Sequence, residues 1–179
     1  MPLSMNPADR WAPSRWWLVG CIALAWCLRL PVALQNRFHP DEALYGYWGL
    51  LIGRGGDPWL STVPVYKPPI FPYLMAASCW LFGSSEFALR YVGLAAGILM
   101  VPLGALLAHT LYAQRWVSTL TGFLVTLSPF AILFCGTAFP DPLMVALGMA
   151  ACLSATRGHS VTAGLLAGLS FAVKQTGLV

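Results

Sequence analysis

Apolar and polar positions alternate along this chain on the scale of whole helices. Apolar runs of about 14 to 25 residues are separated by short polar turns, whereas a membrane barrel would alternate at every second position. Five such runs predict spans over residues 16–35, 87–113, 116–138, 143–156 and 160–179. Inside each, the backbone must satisfy its own hydrogen bonds, which only a helix can do in lipid. The exception is residues 36–86, the longest interval without a membrane-length apolar run, which reads as a first outer loop. It carries two short helical patterns. After Phe38-His39-Pro40, Asp41 and Glu42 fall in a first helical turn, where the dipole favours negative charge, and the segment ends near Gly53. Leu44, Trp48 and Leu51 recur at helical spacing, giving an apolar stripe on a segment too short to span, so this helix should lie in the interface. Gly53, Gly55, Gly56 and Pro58 break the chain, and Tyr66-Lys67-Pro68-Pro69 opens a second short apolar segment ending at Phe82-Gly83. Pro68 keeps Lys67 out of helical geometry, and Ser84 or Ser85 suits the cap of the next helix. The expected fold is all-α: a polytopic membrane helix bundle of about five transmembrane helices, with two short interfacial helices in the first outer loop.

Composition agrees with the pattern. The 179 residues are 58% hydrophobic and 9% charged, with a mean hydropathy of +0.71, against about 25% charged in soluble domains. The net charge of +4 comes from scattered single basic residues, so neither a nucleic-acid stripe nor a polybasic lipid patch is present. The five cysteines form no C-x-x-C and have no histidine at ligand spacing, which makes them packing residues.

Charge placement suggests an orientation. Residues 1–15 are polar, with Arg10 and Arg15 just before the first span, and read as a cytoplasmic tail. Arg115 and Arg157 then fall on the same inner side, while Asp41, Glu42, Asp57, Glu86 and Asp141 fall outside, together with Arg37, Arg54 and Lys67. Arg29, late in the first span, is expected to snorkel outward. The remainder, 16–179, forms one transmembrane domain, and its end within an apolar run predicts a continuation into a longer polytopic protein.

The acids Asp41, Glu42 and Asp141 and the bases Lys67, Arg90 and Lys174 converge on one side of the membrane in this topology. Isolated charges beside hydrocarbon are costly, which makes them candidates for function. A carboxylate takes a proton from an incoming hydroxyl or amine, and a cation steadies a departing phosphate. Those parts suit transfer of a group off a membrane-anchored phosphate lipid. Local alternatives exist for each residue: first-turn acids for Asp41, Glu42 and Asp141, a Glu86–Arg90 bridge at i, i+4, lipid-headgroup contact for Lys67, and snorkelling for Lys174.

Arg37-x-His39-Pro40-Asp41-Glu42-Ala43-x-Tyr45, then Lys67-Pro68-Pro69, then Leu81-Phe82-Gly83-x-Ser85-x-Phe87-Ala88-Leu89-Arg90, resembles the amino-terminal region of phospholipid-carrier-dependent glycosyltransferases of the GT-C superfamily. These are relatives of protein O-mannosyltransferases, aminoarabinose transferases and bacterial galacturonosyl transferases. Asp141-Pro142-Leu143 and the glycine-spaced segment from Ala163 through Lys174 to Gly177 look like later spans of the same family. The resemblance implies inverting transfer of a sugar from a polyprenyl-phosphate donor to an acceptor such as lipid A, a glycan or a protein, at the outer face of the cell membrane. It further implies Asp41 as catalytic base with Glu42 as its partner, and Lys67, Asp141, Lys174, Arg90 and Tyr45 as substrate-binding residues. The resemblance names no definite cofactor. A divalent metal is compatible with Asp41, Glu42, Asp141 and His39, since hard cations accept carboxylates, although no ligand spacing marks one. The rival readings are a transporter or flippase subunit, with Asp141 and Lys174 lining a path through the bundle, and an inactive structural fragment.

Overall fold

The computed structural model describes residues 15–35 and 38–178. The cytoplasmic tail assigned to residues 1–15, with Arg10 and the side chain of Arg15, and Arg37 of the loop motif therefore lie outside the described residues. All regular elements among the described residues are helical: α1 (Arg15–Ala33), α2 (Pro40–Gly53), α3 (Ile70–Phe82), α4 (Glu86–Tyr112), α5 (Arg115–Leu127), α6 (Pro129–Cys135), α7 (Asp141–Thr156) and α8 (Ser160–Val173), followed by a 3-10 turn, Gln175–Leu178.

Among the described residues two helices, Trp16–Ala33 and Glu86–Tyr112, are long and apolar enough to cross a membrane, and the bent pair α5 and α6 makes a third if it counts as one span. Helices α7 and α8 are apolar but shorter. At 1.5 Å per residue they reach about 21 to 24 Å, against about 30 Å of hydrocarbon. The protein is a multi-pass membrane helix bundle, with two or three of the five expected spans meeting the length criterion.

Lipid as the outer solvent is written into α5. Its polar side faces the bundle: Ser118 and Thr126 are fully buried, while Trp116 is 66% and Leu124 58% exposed. This inverts the arrangement of a water-soluble helix. Each inward hydroxyl finds a carbonyl, Ser118 Oγ donating to Ala105 O at 2.6 Å and Thr126 Oγ1 to Gly122 O at 2.8 Å.

Three expectations need correction. The run over 116–138 is not one helix: it breaks at Ser128, which caps α6 with Pro129 at its first turn, and the two pieces bend by 53°. The fifth segment leaves helix at Val173, because Lys174 is extended and the chain then folds back. Gly177 permits that return, since a Cβ there would lie 2.6 Å from Ser170 carbonyl carbon. Arg29 does not snorkel. It is fully buried and donates to Ala25 O (3.3 Å), Thr126 O (3.1 Å) and Val125 O (2.9 Å).

Helices α2 and α3 pack together on the start of α4, and Tyr45, Trp48, Phe71, Met75 and Leu89 form the centre of this core. The loop between them is pinned from both sides. Trp80 Nε1 donates to Gly53 O at 2.8 Å, and the Tyr73 hydroxyl to Pro58 O at 2.9 Å. Within it, Asp57 accepts from the backbone N–H and hydroxyl of both Ser61 and Thr62, at 2.6 to 3.1 Å. The Thr62 bonds first, then those of Ser61, hold its carboxyl well below the usual carboxylate range.

Candidate active site

The site lies where α1 ends, α2 and α4 begin, and the chain turns into α7. Helix α2 opens with a reciprocal cap: Asp41 N–H donates to His39 Nδ1, and His39 N–H to Glu42 Oε2 at 2.9 Å. Consecutive residues on a helix point about 100° apart, so the two acids have different surroundings. The Asp41 side chain is 55% exposed, that of Glu42 only 4%. Glu42 Oε1 accepts from Arg90 Nε at 3.2 Å and from Ala138 N–H at 2.7 Å. Arg90 also donates to Ala33 O and Gln35 O at the end of α1, and its guanidinium lies 4.6 Å from the Phe38 ring centroid. One buried ion pair thus ties together four segments. The expected alternative of a Glu86–Arg90 bridge is replaced by this long-range pair.

Close packing brings α7 into the same place. At Gly93 a Cβ would lie 2.6 Å from Thr137 O, so only glycine lets the segment before α7 rest on α4. Asp141 then stands in the first turn of α7, and Lys174, just past α8, reaches back to it with Nζ 2.5 Å from Oδ1.

Lys67 sits between two tyrosines, its ammonium 4.8 Å from the Tyr45 ring centroid and 5.5 Å from that of Tyr66. No carboxylate pairs with it among the described residues. Tyr45 is held edge-on against Trp48 and Phe71, at 5.7 and 5.6 Å, and Tyr66 against Trp48 at 6.0 Å. Burial pushes the Tyr45 phenol up to about 12, with Asp141, Tyr66 and Asp41 adding to the shift.

These elements enclose a cavity of about 430 Å³. Asp41, Tyr45, Lys67, Asp141 and Lys174 all line it, as do Tyr66 and the aromatic wall of Phe130, Phe134 and Phe139. Five of the seven expected site residues therefore share one cavity. Glu42 and Arg90 do not line it; they lie beneath, bonded to each other. Since Asp141 and Lys174 satisfy one another, the cavity is left, among the described residues, with an acid that no lysine or arginine pairs, Asp41, whose Oδ2 lies 3.8 Å from His39 Nδ1, and a cation that no carboxylate pairs, Lys67. Such a set can take a proton at one point and hold an anion at another. No three His, Cys, Asp or Glu side chains converge in metal-binding fashion among the described residues.

A family model described as dolichyl-phosphate-mannose-protein mannosyltransferase matches residues 66–179, from Tyr66 at the cavity rim through α8. The chain belongs to this mannosyltransferase family. It is also 31% identical, over 180 aligned positions, to the undecaprenyl phosphate-alpha-4-amino-4-deoxy-L-arabinose arabinosyl transferase 1 of Sodalis glossinidius (strain morsitans). That alignment covers 88% of this chain and 31% of the relative, so the chain spans about a third of its length. No solved structure matches. The resemblance to lipid-carrier-dependent GT-C glycosyltransferases is thereby upheld.

Membership in the mannosyltransferase family leaves some lining residues that the sequence did not single out. Phe130 and Phe134, stacked at 4.2 Å, are invisible there because they sit inside an unbroken apolar run. Gln175 and Thr176, which also line the cavity, follow a helix end that hydropathy alone does not mark. Tyr66 carried a usable signal, an aromatic directly before Lys67-Pro68.

Proposed function

We propose that this protein takes part in inverting transfer of a sugar from a polyprenyl-phosphate donor to an acceptor such as lipid A, a glycan or a protein, at the outer face of the cell membrane. The observation that carries this reading is that one cavity beside a lipid-facing bundle holds both Asp41, a carboxylate with His39 Nδ1 at 3.8 Å and no lysine or arginine pairing it among the described residues, and Lys67, an ammonium that no carboxylate pairs among them. The arabinosyl transferase relative, named for an undecaprenyl phosphate-linked sugar, supports a lipid-phosphate donor.

In the proposed reaction an acceptor hydroxyl or amine attacks the anomeric carbon from the face opposite the phosphate. Its proton passes to Asp41, the bond from the anomeric carbon to the phosphate oxygen breaks, and the phosphate leaves with its charge held by Lys67. The Asp141–Lys174 pair and Tyr45 border the substrate. Glu42 and Arg90 act from beneath, by fixing the start of α2 that bears Asp41 and the turn that bears Asp141. Residues 36–86 then form an outer loop and the amino terminus lies in the cytoplasm. Mass spectrometry of envelope lipids and glycans from a strain lacking the gene tests the reading. One missing sugar, restored by the wild-type gene but not by Asp41→Asn, is the expected result; an unchanged profile of lipids, glycans and glycoproteins contradicts it.

A further inference from the structure

The most costly group in the bundle is the one the reaction does not use. Arg29 lies within membrane-spanning α1, fully buried, with no carboxylate pairing it among the described residues. A cation in such a place needs a reason. Its donors go to Val125 O and Thr126 O, in the last turn of α5, beside the 53° break into α6. In a continuous helix the N–H of residue 129 would serve Val125 O, and Pro129 has none. The guanidinium thus supplies from another helix what the broken one lacks, and its charge faces the negative end of the α5 dipole. Glycines seat the far side of the break. At Gly97 any side chain would collide with Cys135, the last residue of α6, and lie 3.6 Å from Arg29 Nε; at Gly136 a Cβ would lie 2.6 Å from Val32 Cβ.

The bend carries two of the cavity's aromatic walls. Phe130 and Phe134 stand on α6, stacked on each other, with Phe134 6.2 Å from Phe139. The 53° bend thus sets where this wall stands relative to the rest of the cavity.

We infer that Arg29 is a positioning residue for the cavity: by occupying Val125 O, which Pro129 leaves without a donor, and Thr126 O beside the break, it holds the α5–α6 bend and, through it, the Phe130–Phe134 wall. What the cavity binds rests on the function proposed above, so the test separates the two. Wild type, Arg29→Met, Arg29→Met with Pro129→Ala, and Lys67→Ala are compared in nanodiscs for thermal unfolding and for undecaprenyl phosphate binding followed by tryptophan fluorescence. Arg29→Met should lower the melting temperature and weaken binding by about tenfold or more. Adding Pro129→Ala restores an N–H for Val125 O and straightens the helix, so the melting temperature should recover while binding stays weak. Recovery of binding together with stability, no recovery of stability, or no effect of Arg29→Met on either readout would each overturn the inference. Should Arg29→Met fail to fold, Arg29→Lys carries the test. It keeps the charge but presents donors from a single nitrogen, and should fall below wild type in both readouts; equality with wild type would overturn the paired-donor role. Unchanged binding in Lys67→Ala would strike at the proposed function instead, leaving the melting data to judge Arg29.

Discussion

Replacing Glu42 by alanine should damage the fold before it damages any chemistry. The carboxylate is buried and takes three hydrogen bonds: Arg90 Nε at 3.2 Å, Ala138 N–H at 2.7 Å and His39 N–H at 2.9 Å. Its loss takes the carboxylate away from a guanidinium whose side chain is 2% exposed and leaves two backbone donors without their acceptor. Breaking one side of a buried pair costs about 3–5 kcal/mol, and each stranded backbone donor about 1–3 kcal/mol where water cannot reach it. Arg90 keeps its bonds to Ala33 O and Gln35 O, so the lower part of the range, about 3 to 4 kcal/mol, is the working figure. The assay is equilibrium unfolding in mixed SDS micelles, with a double-mutant cycle through Arg90→Met. Glu42→Ala with Arg90→Met should recover part of the loss, giving a coupling of about 2 kcal/mol or more. Glu42→Ala within about 1 kcal/mol of wild type would refute the structural assignment and return Glu42 to candidacy as a reacting group.

Lys67→Ala should weaken binding of the lipid-phosphate donor while costing about 1 kcal/mol of stability, the scale of its contacts with the Tyr45 and Tyr66 ring faces; equal donor affinity would argue against phosphate contact. The depressed Asp57 carboxyl makes the loop between α2 and α3 sensitive to acid. The folded group titrates below the unfolded one, so its contribution is full above the unfolded carboxyl's range and lost as pH falls through the folded value. Pepsin cleavage between Asp57 and Thr62 should therefore accelerate only as pH drops below the usual carboxylate range, whereas Asp57→Asn should be cut readily throughout; a wild-type rate without this pH dependence would contradict it. For Tyr45, raised to about 12, the sign is opposite, since the protonated phenol is favoured and the contribution is lost as pH rises past the ordinary phenol range. Ultraviolet difference titration against Tyr45→Phe should show one tyrosinate appearing near 12, and a difference spectrum centred near 10 would be inconsistent with its burial.

Much of this was legible in the sequence, for reasons that differ by element. Helices α1 and α4 follow from uninterrupted apolar length, and α2 from a cap motif whose proline and acids act within one turn. The cavity's polar residues stood out because charge is rare in this chain. What escaped was long-range. Glu42 and Arg90 are 48 positions apart, and only the packed fold tells that Arg90 faces α2 rather than Glu86 on its own helix. Whether a buried-span arginine snorkels or turns inward depends on acceptors it can find. Arg29 found the carbonyls exposed by the break at Ser128-Pro129. That break had a readable signal, serine before proline as a helix start inside an apolar run, but hydropathy passed over it. The early end of α8 likewise escaped, because Lys174 turns out of the helix to meet Asp141, a partner 33 positions away, whereas the short α7 was already legible.

The central claim is that Asp41 takes the acceptor's proton beside a donor phosphate held by Lys67. Single-turnover transfer from a polyprenyl phosphate-linked sugar that the wild type accepts, wild type against Asp41→Asn, with donor affinity measured in parallel, tests it most directly. The variant should bind donor with near-normal affinity and lose transfer by about 10² to 10⁴-fold, the range for removal of a positioned base. Transfer at a near-normal rate by Asp41→Asn would contradict it.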